Sequence, residues 1–126
     1  LDSIVYCELI NPKSHIDAQK GILSFYLTGG LVLNSLERKI VQTGIRLKVD
    51  SSFILIIKSD SYLEKTNGIF TFPTFIYPTY TDEILLTLAN LSTARMVIAV
   101  DTRIAEGCVI PFTNILLKQV HNISHL

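Results

Sequence analysis

Seven short runs rich in Ile, Val, Leu and Tyr punctuate this chain: SIVYCEL, GILSFYL, KIVQTGIRLKV, SFILIIK, EILLTLANL, MVIAV and NILLKQV. They recur about every ten residues, and clusters of Gly, Pro, Asn, Asp and Ser separate them. β-Branched and aromatic side chains pack well on a pleated surface and lose rotamer freedom in a helix, so each run favours a strand. Regular spacing with no helical periodicity in between predicts an all-β barrel or sandwich in place of alternating β and α units. Helical turns are expected only at Ser35 to Arg38 and at Tyr62 to Thr66. The 126 residues suffice for one core, and no repeat, linker or low-complexity tract divides them. Residues 1–126 therefore read as a single β domain, with 119–126 as a polar C-terminal tail.

Composition narrows the partners. Hydrophobic residues make up 48% of the chain, more than one small core needs, so part of the apolar surface is expected to meet another chain in a dimer or trimer. The run NILLKQV points the same way, because Ile115, Leu116 and Leu117 in succession cannot all face one core. Eleven basic and eleven acidic residues cancel, leaving no overall field to draw the chain to nucleic acid or to an anionic membrane. The longest apolar run, FILII from Phe53 to Ile57, is too short to span a bilayer. No basic, apolar and small-residue succession reads as a signal peptide, so an intracellular, reducing compartment is expected. Cys7 and Cys108 match no metal or redox spacing and are read as buried free thiols.

Chemistry-bearing motifs are sparse. His15, His121 and His125 show no metal-ligand spacing and are read as surface residues. There is no G-x-S-x-G, no G-x-x-x-x-G-K-S/T and no C-x-x-C. Two N-glycosylation sequons, at Asn90 and Asn122, are read as chance occurrences.

Four blocks carry more information when taken in order. VQTGIRLKV (Val41 to Val49), SDSYLEKTNGI (from Ser59), FIYPTYTDEILLTLANLS (from Phe75) and DTRIAEGCVI (from Asp101) resemble the dUTPase family. There the corresponding blocks read PTGI, PRSGLAxKxGI, GVIDxxYRGxI followed by LxN, and GDRIAQLI. The resemblance covers Gly21 to Pro111 and implies a dUTPase-like distorted β-barrel, jelly-roll-like in form. What it keeps is Gly44, Ile45, Gly68, Ile69, Ile84, Leu88, Asn90 and the triplet Arg103-Ile104-Ala105. In the family these are turn glycines, inward strand positions and a buried polar anchor.

What the resemblance lacks is the family's chemistry. The aspartate of AGYDL, which helps hold magnesium through water, falls on Ser24, and a neutral hydroxyl is a poor ligand for a hard cation. PRSG becomes Ser59-Asp60-Ser61-Tyr62, so an arginine facing the triphosphate is replaced by Asp60 and a phosphate-approaching glycine by Tyr62; Ser61 agrees. At about 5 Å and an effective dielectric near 20 a unit charge pair is worth roughly 3 kcal/mol, and reversing its sign swings binding of an anion by about twice that. The water-orienting aspartate falls on Tyr77, and the arginine and glycine after it on Thr81 and Asp82. Tyr80 matches the tyrosine on which the family stacks deoxyribose. The glycine-rich closing arm is missing, since FTNILLKQVHNISHL follows Pro111 and an arm without glycine cannot wrap phosphates closely.

These departures place Ser24, Asp60, Ser61, Tyr77, Tyr80 and Arg103 in a vestigial nucleotide site, with no catalytic residue, metal or cofactor assigned. In this decay the chain resembles the dUTPase-related proteins of large DNA viruses, those of herpesviruses and the first-reading-frame product of adenoviral early region 4, the last of which is similar in length. The resemblance implies a non-catalytic adaptor that engages host proteins in host-cell cytoplasm or nucleus. Ser124-His125-Leu126 fits the Ser/Thr, any, apolar pattern that PDZ domains capture by strand addition and a carboxylate-binding nest. The alternative is a dUTP pyrophosphatase or nucleotide-binding protein with a site rebuilt from Asp60, Glu64, Asp82 and Glu83.

Overall fold

The longest β-prone run, Lys39 to Val49, does not form one strand. In the computed structural model, which describes residues 3–126, it breaks at Thr43-Gly44 into β5 (Arg38–Gln42) and β6 (Ile45–Val49). Gly44 sits at φ +68°, and a Cβ there would overlap the Ser14 hydroxyl and stand 2.7 Å from Asn11 Cβ. Only glycine makes this corner. Thr43 seals it, its hydroxyl donating to the Ile84 carbonyl at 2.7 Å while its own carbonyl accepts from Ser14 Oγ at 2.7 Å.

The remaining strands are β1 (Val5–Leu9), β2 (Ile16–Gln19), β3 (Ile22–Tyr26), β4 (Leu31–Leu33), β7 (Phe53–Ser59), β8 (Ile69–Thr71), β9 (Thr74–Ile76), β10 (Leu85–Asn90), β11 (Met96–Ile98) and β12 (Arg103–Pro111). All described pairings are antiparallel. The largest sheet runs β2-β3-β12-β7-β9, a second β5-β10-β8, and the pairs β1-β6 and β4-β11 complete an all-β, jelly-roll-like barrel. The inward faces carry Phe25, Leu33, Ile45, Leu55, Ile57, Ile69, Ile84, Leu86, Leu88 and Ile104, all essentially inaccessible. Such side chains contribute about 1.5–3 kcal/mol each on burial and are the main source of stability.

Strand β12 is the spine, pairing with β3 on one side and β7 on the other. Gly107 lies on its inward face, where a Cβ would come within 3.1 Å of Leu55. Asn90 is the second fixed point. Its fully buried amide donates to the carbonyls of Leu33 (3.0 Å) and Ala94 (2.8 Å) and accepts from Ser92 N–H and Oγ (2.9 and 2.7 Å), tying β4 to the end of β10. A buried amide with its hydrogen-bonding capacity met specifies one chain path. The same bonds bury the acceptor nitrogen of the first sequon.

Three expectations need correction. Residues 35–38 form no helix, since Leu36 takes φ +65° and Arg38 already belongs to β5. Cys7 and Cys108 are free, but both are exposed. Cys7 lies on β1, which among the described residues pairs with β6 alone, and Cys108 lies on the outward side of β12 opposite Ile56. NILLKQV, read as a barrel strand of its own subunit or one donated to a neighbour, is not a barrel strand of its own chain: it pairs with no described strand, and Ile115, Leu116 and Leu117 are 89%, 81% and 90% exposed. β-Propensity describes fit to a neighbouring strand, so without a neighbour it has no expression.

Candidate functional site

The run Ser59-Asp60-Ser61 stands where β7 ends and a seven-residue helix begins, α1 (Ser61–Asn67). Asp60 is its N-cap, with one carboxylate oxygen accepting from the Leu63 N–H at 3.0 Å. Aspartate suits this position because it satisfies an otherwise orphaned amide of the first turn. Gly68 closes the other end in the left-handed conformation at φ +67°, donating back to Glu64 O. The helix thus acts as a short clip that aims the second carboxylate oxygen of Asp60 at the start of β12.

There it meets Arg103. The guanidinium is ion-paired with Asp60, donates through Nε to Ser24 Oγ at 2.7 Å and through Nη1 to Glu106 at 3.0 Å. Glu106 in turn pairs with Lys58 and accepts from Ser61 Oγ at 3.3 Å. The Asp60 side chain is 8% exposed, that of Glu106 15% and that of Arg103 31%. Burial opposes the charge on Arg103, but its bonds to Asp60 and Glu106 outweigh that and hold the guanidinium above its ordinary pKa. Burial likewise pushes the Glu106 carboxyl up, and Lys58 and Arg103 more than reverse the effect. Two cations and two carboxylates therefore close on one another, Lys58 supplied by β7, Asp60 by the cap of α1, and Arg103 and Glu106 by β12.

Sequence reasoning had brought Ser24, Asp60, Ser61 and Arg103 into one group, and the structure does place them together. It had missed Glu106 and Lys58. Residues three apart on a regular strand face opposite sides, so Glu106 would be expected behind Arg103. The register of β12 against β3 shifts between Arg103 and Ala105, and this bulge turns both side chains to one face. Nothing in DTRIAEG announces a bulge. Beside Ser24 on that face, Tyr26 donates to Asp17 at 3.0 Å and stacks on His15 with ring centroids 4.1 Å apart.

Tyr77 and Tyr80 stand apart, making none of the hydrogen bonds of the Arg103 group. Tyr77 meets Phe112 edge-on at 6.1 Å. The Tyr80 hydroxyl donates to the Glu83 carbonyl of its own loop at 2.7 Å while its ring packs on the core. That loop is strapped to β6 by Arg46 donating to Thr81 O (2.8 Å) and Lys48 to Pro78 O (2.7 Å), and Glu83 accepts from Gly44 N–H at 2.9 Å. Ser124, His125 and Leu126 lie in a separate exposed terminal turn held by Asn122 accepting from Ser124 N–H at 2.9 Å.

No protein-family model matches the chain, and no curated protein matches it in sequence. Solved structures do match. A mutant dUTPase from phage phi11 of S. aureus, whose structure reveals the coordination of a structural Mg(II) ion, superposes with TM-score 0.84 at 12% identity, over 95% of this chain and 98% of that one. The Staphylococcus bacteriophage 80alpha dUTPase gives 0.81 at 13% identity over 95% and 97%. A mutant of that enzyme with dUpNHpp gives 0.79 at 14% over 95% and 98%. The fold is that of the dUTPases.

A dUTPase-fold chain raises the question of magnesium. Both oxygens of Asp60 are engaged, one by the helix amide and one by Arg103. Among the described residues no three His, Cys, Asp or Glu side chains converge as a metal would require. Asp82 and Glu83 are on the strapped loop, and Glu83 spends a carboxylate oxygen on Gly44. The donor set around Ser24 and Asp60 does not fit a hard dication, which is held by at least one free carboxylate oxygen besides its waters, because both Asp60 oxygens are engaged and Ser24 Oγ accepts from Arg103.

Proposed function

We propose that this chain is a viral dUTPase-fold protein that acts by binding other proteins and does not hydrolyse dUTP. One observation carries the reading: Arg103 is already neutralised by Asp60 and Glu106. A triphosphate entering beside it would have to displace a buried carboxylate that also caps α1, and it would meet a second carboxylate behind. With Lys58 spent on Glu106, no unpaired cation of the cluster faces an incoming phosphate. Phosphoryl chemistry depends on positive groups held ready for developing charge, and here they are held by the protein itself.

The same fold serves regulation elsewhere: phage dUTPases control transfer of virulence genes by a proto-oncogenic G protein-like mechanism. For this chain, two segments fit partner binding. Residues 112–120 offer unburied apolar side chains to a second copy in a dimer or trimer. In a chain that ends at Leu126, Ser124-His125-Leu126, with Leu126 at 91% exposure, is offered to a host PDZ domain once two backbone bonds of the last turn open.

Calorimetry with dUTP and with dUpNHpp, each with magnesium, tests the reading. No binding heat and no pyrophosphate release are expected from the intact protein. Micromolar binding or turnover would falsify it and favour a nucleotide enzyme whose site is rebuilt from other residues.

A further inference from the structure

Three connections meet at the end of α1 away from Asp60: the turn 34–37 between β4 and β5, the loop 91–95 between β10 and β11, and the helix C-terminus at 65–68. Hydrogen bonds tie them into one rim. Leu36 N–H donates to Asn90 O at 2.8 Å, Asn90 N–H to Glu37 O at 2.9 Å, Leu91 N–H to Gly68 O at 2.9 Å and Ser35 Oγ to Ser92 O at 2.6 Å. Two leucines stand out from it, Leu36 at 78% exposure and Leu91 at 57%. Leu36 is misplaced twice over. It is the third residue of a turn closed by Glu37 N–H on Asn34 O at 3.0 Å, and its φ of +65° is one that glycine adopts freely and leucine does not. Its side chain meanwhile lies in water. Strain at an exposed apolar residue contributes nothing to the barrel and points to a partner outside it.

The charges around the leucines decide which partner fits. Arg38 follows the turn, Arg95 ends the 91–95 loop and Lys65 occupies the last turn of α1. All three are exposed, and among the described residues none enters an ion pair. Glu37 spends its carboxylate on the Asn34 N–H (2.9 Å) and on Lys39, which leaves Glu64 alone against three cations. The chain as a whole has a formal charge of zero, so this positive field is local to the rim. Apolar knobs flanked by cations suit an anionic lipid surface: the leucines enter the boundary between headgroups and acyl chains, the cations stay level with the lipid phosphates, and no matching shape is required. We infer that this rim docks the protein reversibly on an anionic bilayer surface, with Leu36 and Leu91 as the inserted side chains and Arg38, Lys65 and Arg95 as the headgroup contacts. Docking of this kind is independent of whether the Arg103 cluster admits a nucleotide.

The experiment is co-sedimentation of the full chain with vesicles of phosphatidylcholine alone and of phosphatidylcholine with about one-third phosphatidylserine. Wild type is expected to bind the anionic vesicles roughly tenfold or more above the neutral ones, and added salt should release it. Leu36→Gly combined with Leu91→Ser should lower that binding by roughly tenfold. Its melt should stay in place or rise, because glycine relieves the left-handed backbone; a merely structural role for Leu36 would lower it. If the double variant melts lower, Leu36→Gly alone is read in the same way. Lys65→Gln with Arg95→Gln should bind the two kinds of vesicle nearly alike. Wild type that binds neither vesicle, or both equally, overturns the inference. Full binding by the folded leucine variant overturns it as well and assigns lipid contact to another surface, such as residues 112–120. Binding to soluble polyglutamate in place of vesicles overturns it in favour of an acidic protein partner.

Discussion

The Arg103 cluster and the segment after Pro111 are opposites. In the cluster every charged group has a partner, and four elements of the barrel converge to provide them. In the segment Ile115, Leu116 and Leu117 stand almost entirely in water and pair with no described strand. Where the dUTPase resemblance would lead one to look for a ligand, the interactions are saturated, whereas the interactions left open are apolar and lie in the segment that follows β12. Binding free energy comes from groups that lack partners before the encounter, so the comparison directs attention away from the pocket and toward the C-terminal segment.

The largest effect should come from breaking the saturated side. Arg103→Ala leaves Asp60 and Glu106 facing each other with little solvent, and removing one partner of a buried ion pair costs about 3 kcal/mol. A melt lowered by roughly 10 °C is expected for a domain of this size. The sign of the pH dependence follows from Glu106, whose folded pKa is depressed. Its contribution is present above the ordinary carboxylate pKa and is lost as pH falls through the depressed value. Wild type should therefore lose stability steadily on acidification below about pH 4.5, and Arg103→Ala should show a shallower slope. Equal melts and parallel acid slopes would mean that the cluster is not what distinguishes the two regions.

A smaller effect on stability, but a larger one on assembly, is expected from the open side. Replacing Ile115, Leu116 and Leu117 together by Ser removes side chains that are 81–90% exposed, so the isolated fold loses next to nothing. Sedimentation should shift from an oligomer to a monomer while the melt of the barrel at low concentration stays in place. An oligomer that persists in the triple variant assigns self-association to another surface.

Much of this contrast was legible in the sequence, and the unread parts share a cause. Turn glycines and inward residues were readable because each answers to local geometry: Gly44 and Gly68 need positive φ, and Ile84 and Leu88 alternate with their neighbours. Asp60 and Arg103 could be grouped because the family's blocks place both at one site. Lys58 and Glu106 could not, because their meeting depends on cross-strand register and on a bulge, neither of which has a local signal. NILLKQV, read as a barrel strand of its own subunit or one donated to a neighbour, forms no strand within this chain, because a strand is a property of two segments and no described segment pairs with it. Cys7 and Cys108 were placed inside on average tendency, while the pairing of β1 and β12 puts both on outer faces.

The smallest expected effect on the fold, and the most selective, lies at the last residue. Leu126 is 91% exposed, and its backbone makes one bond, to Ile123 O at 3.0 Å, in a turn that holds no buried side chain. Deleting it should leave the melt unchanged. A PDZ domain requires that carboxylate and that side chain together, the first in a backbone nest and the second in an apolar pocket, with Ser124 positioned two residues earlier for a polar contact. Binding to purified PDZ domains, measured with a chain ending at Leu126, should accordingly vanish on deletion and fall strongly in Ser124→Ala. If a panel of such domains binds the deleted and intact chains alike, the terminal turn contributes nothing to recognition. The open side of the molecule then reduces to the apolar stretch from Phe112 to Val120, the segment proposed above to meet a second copy.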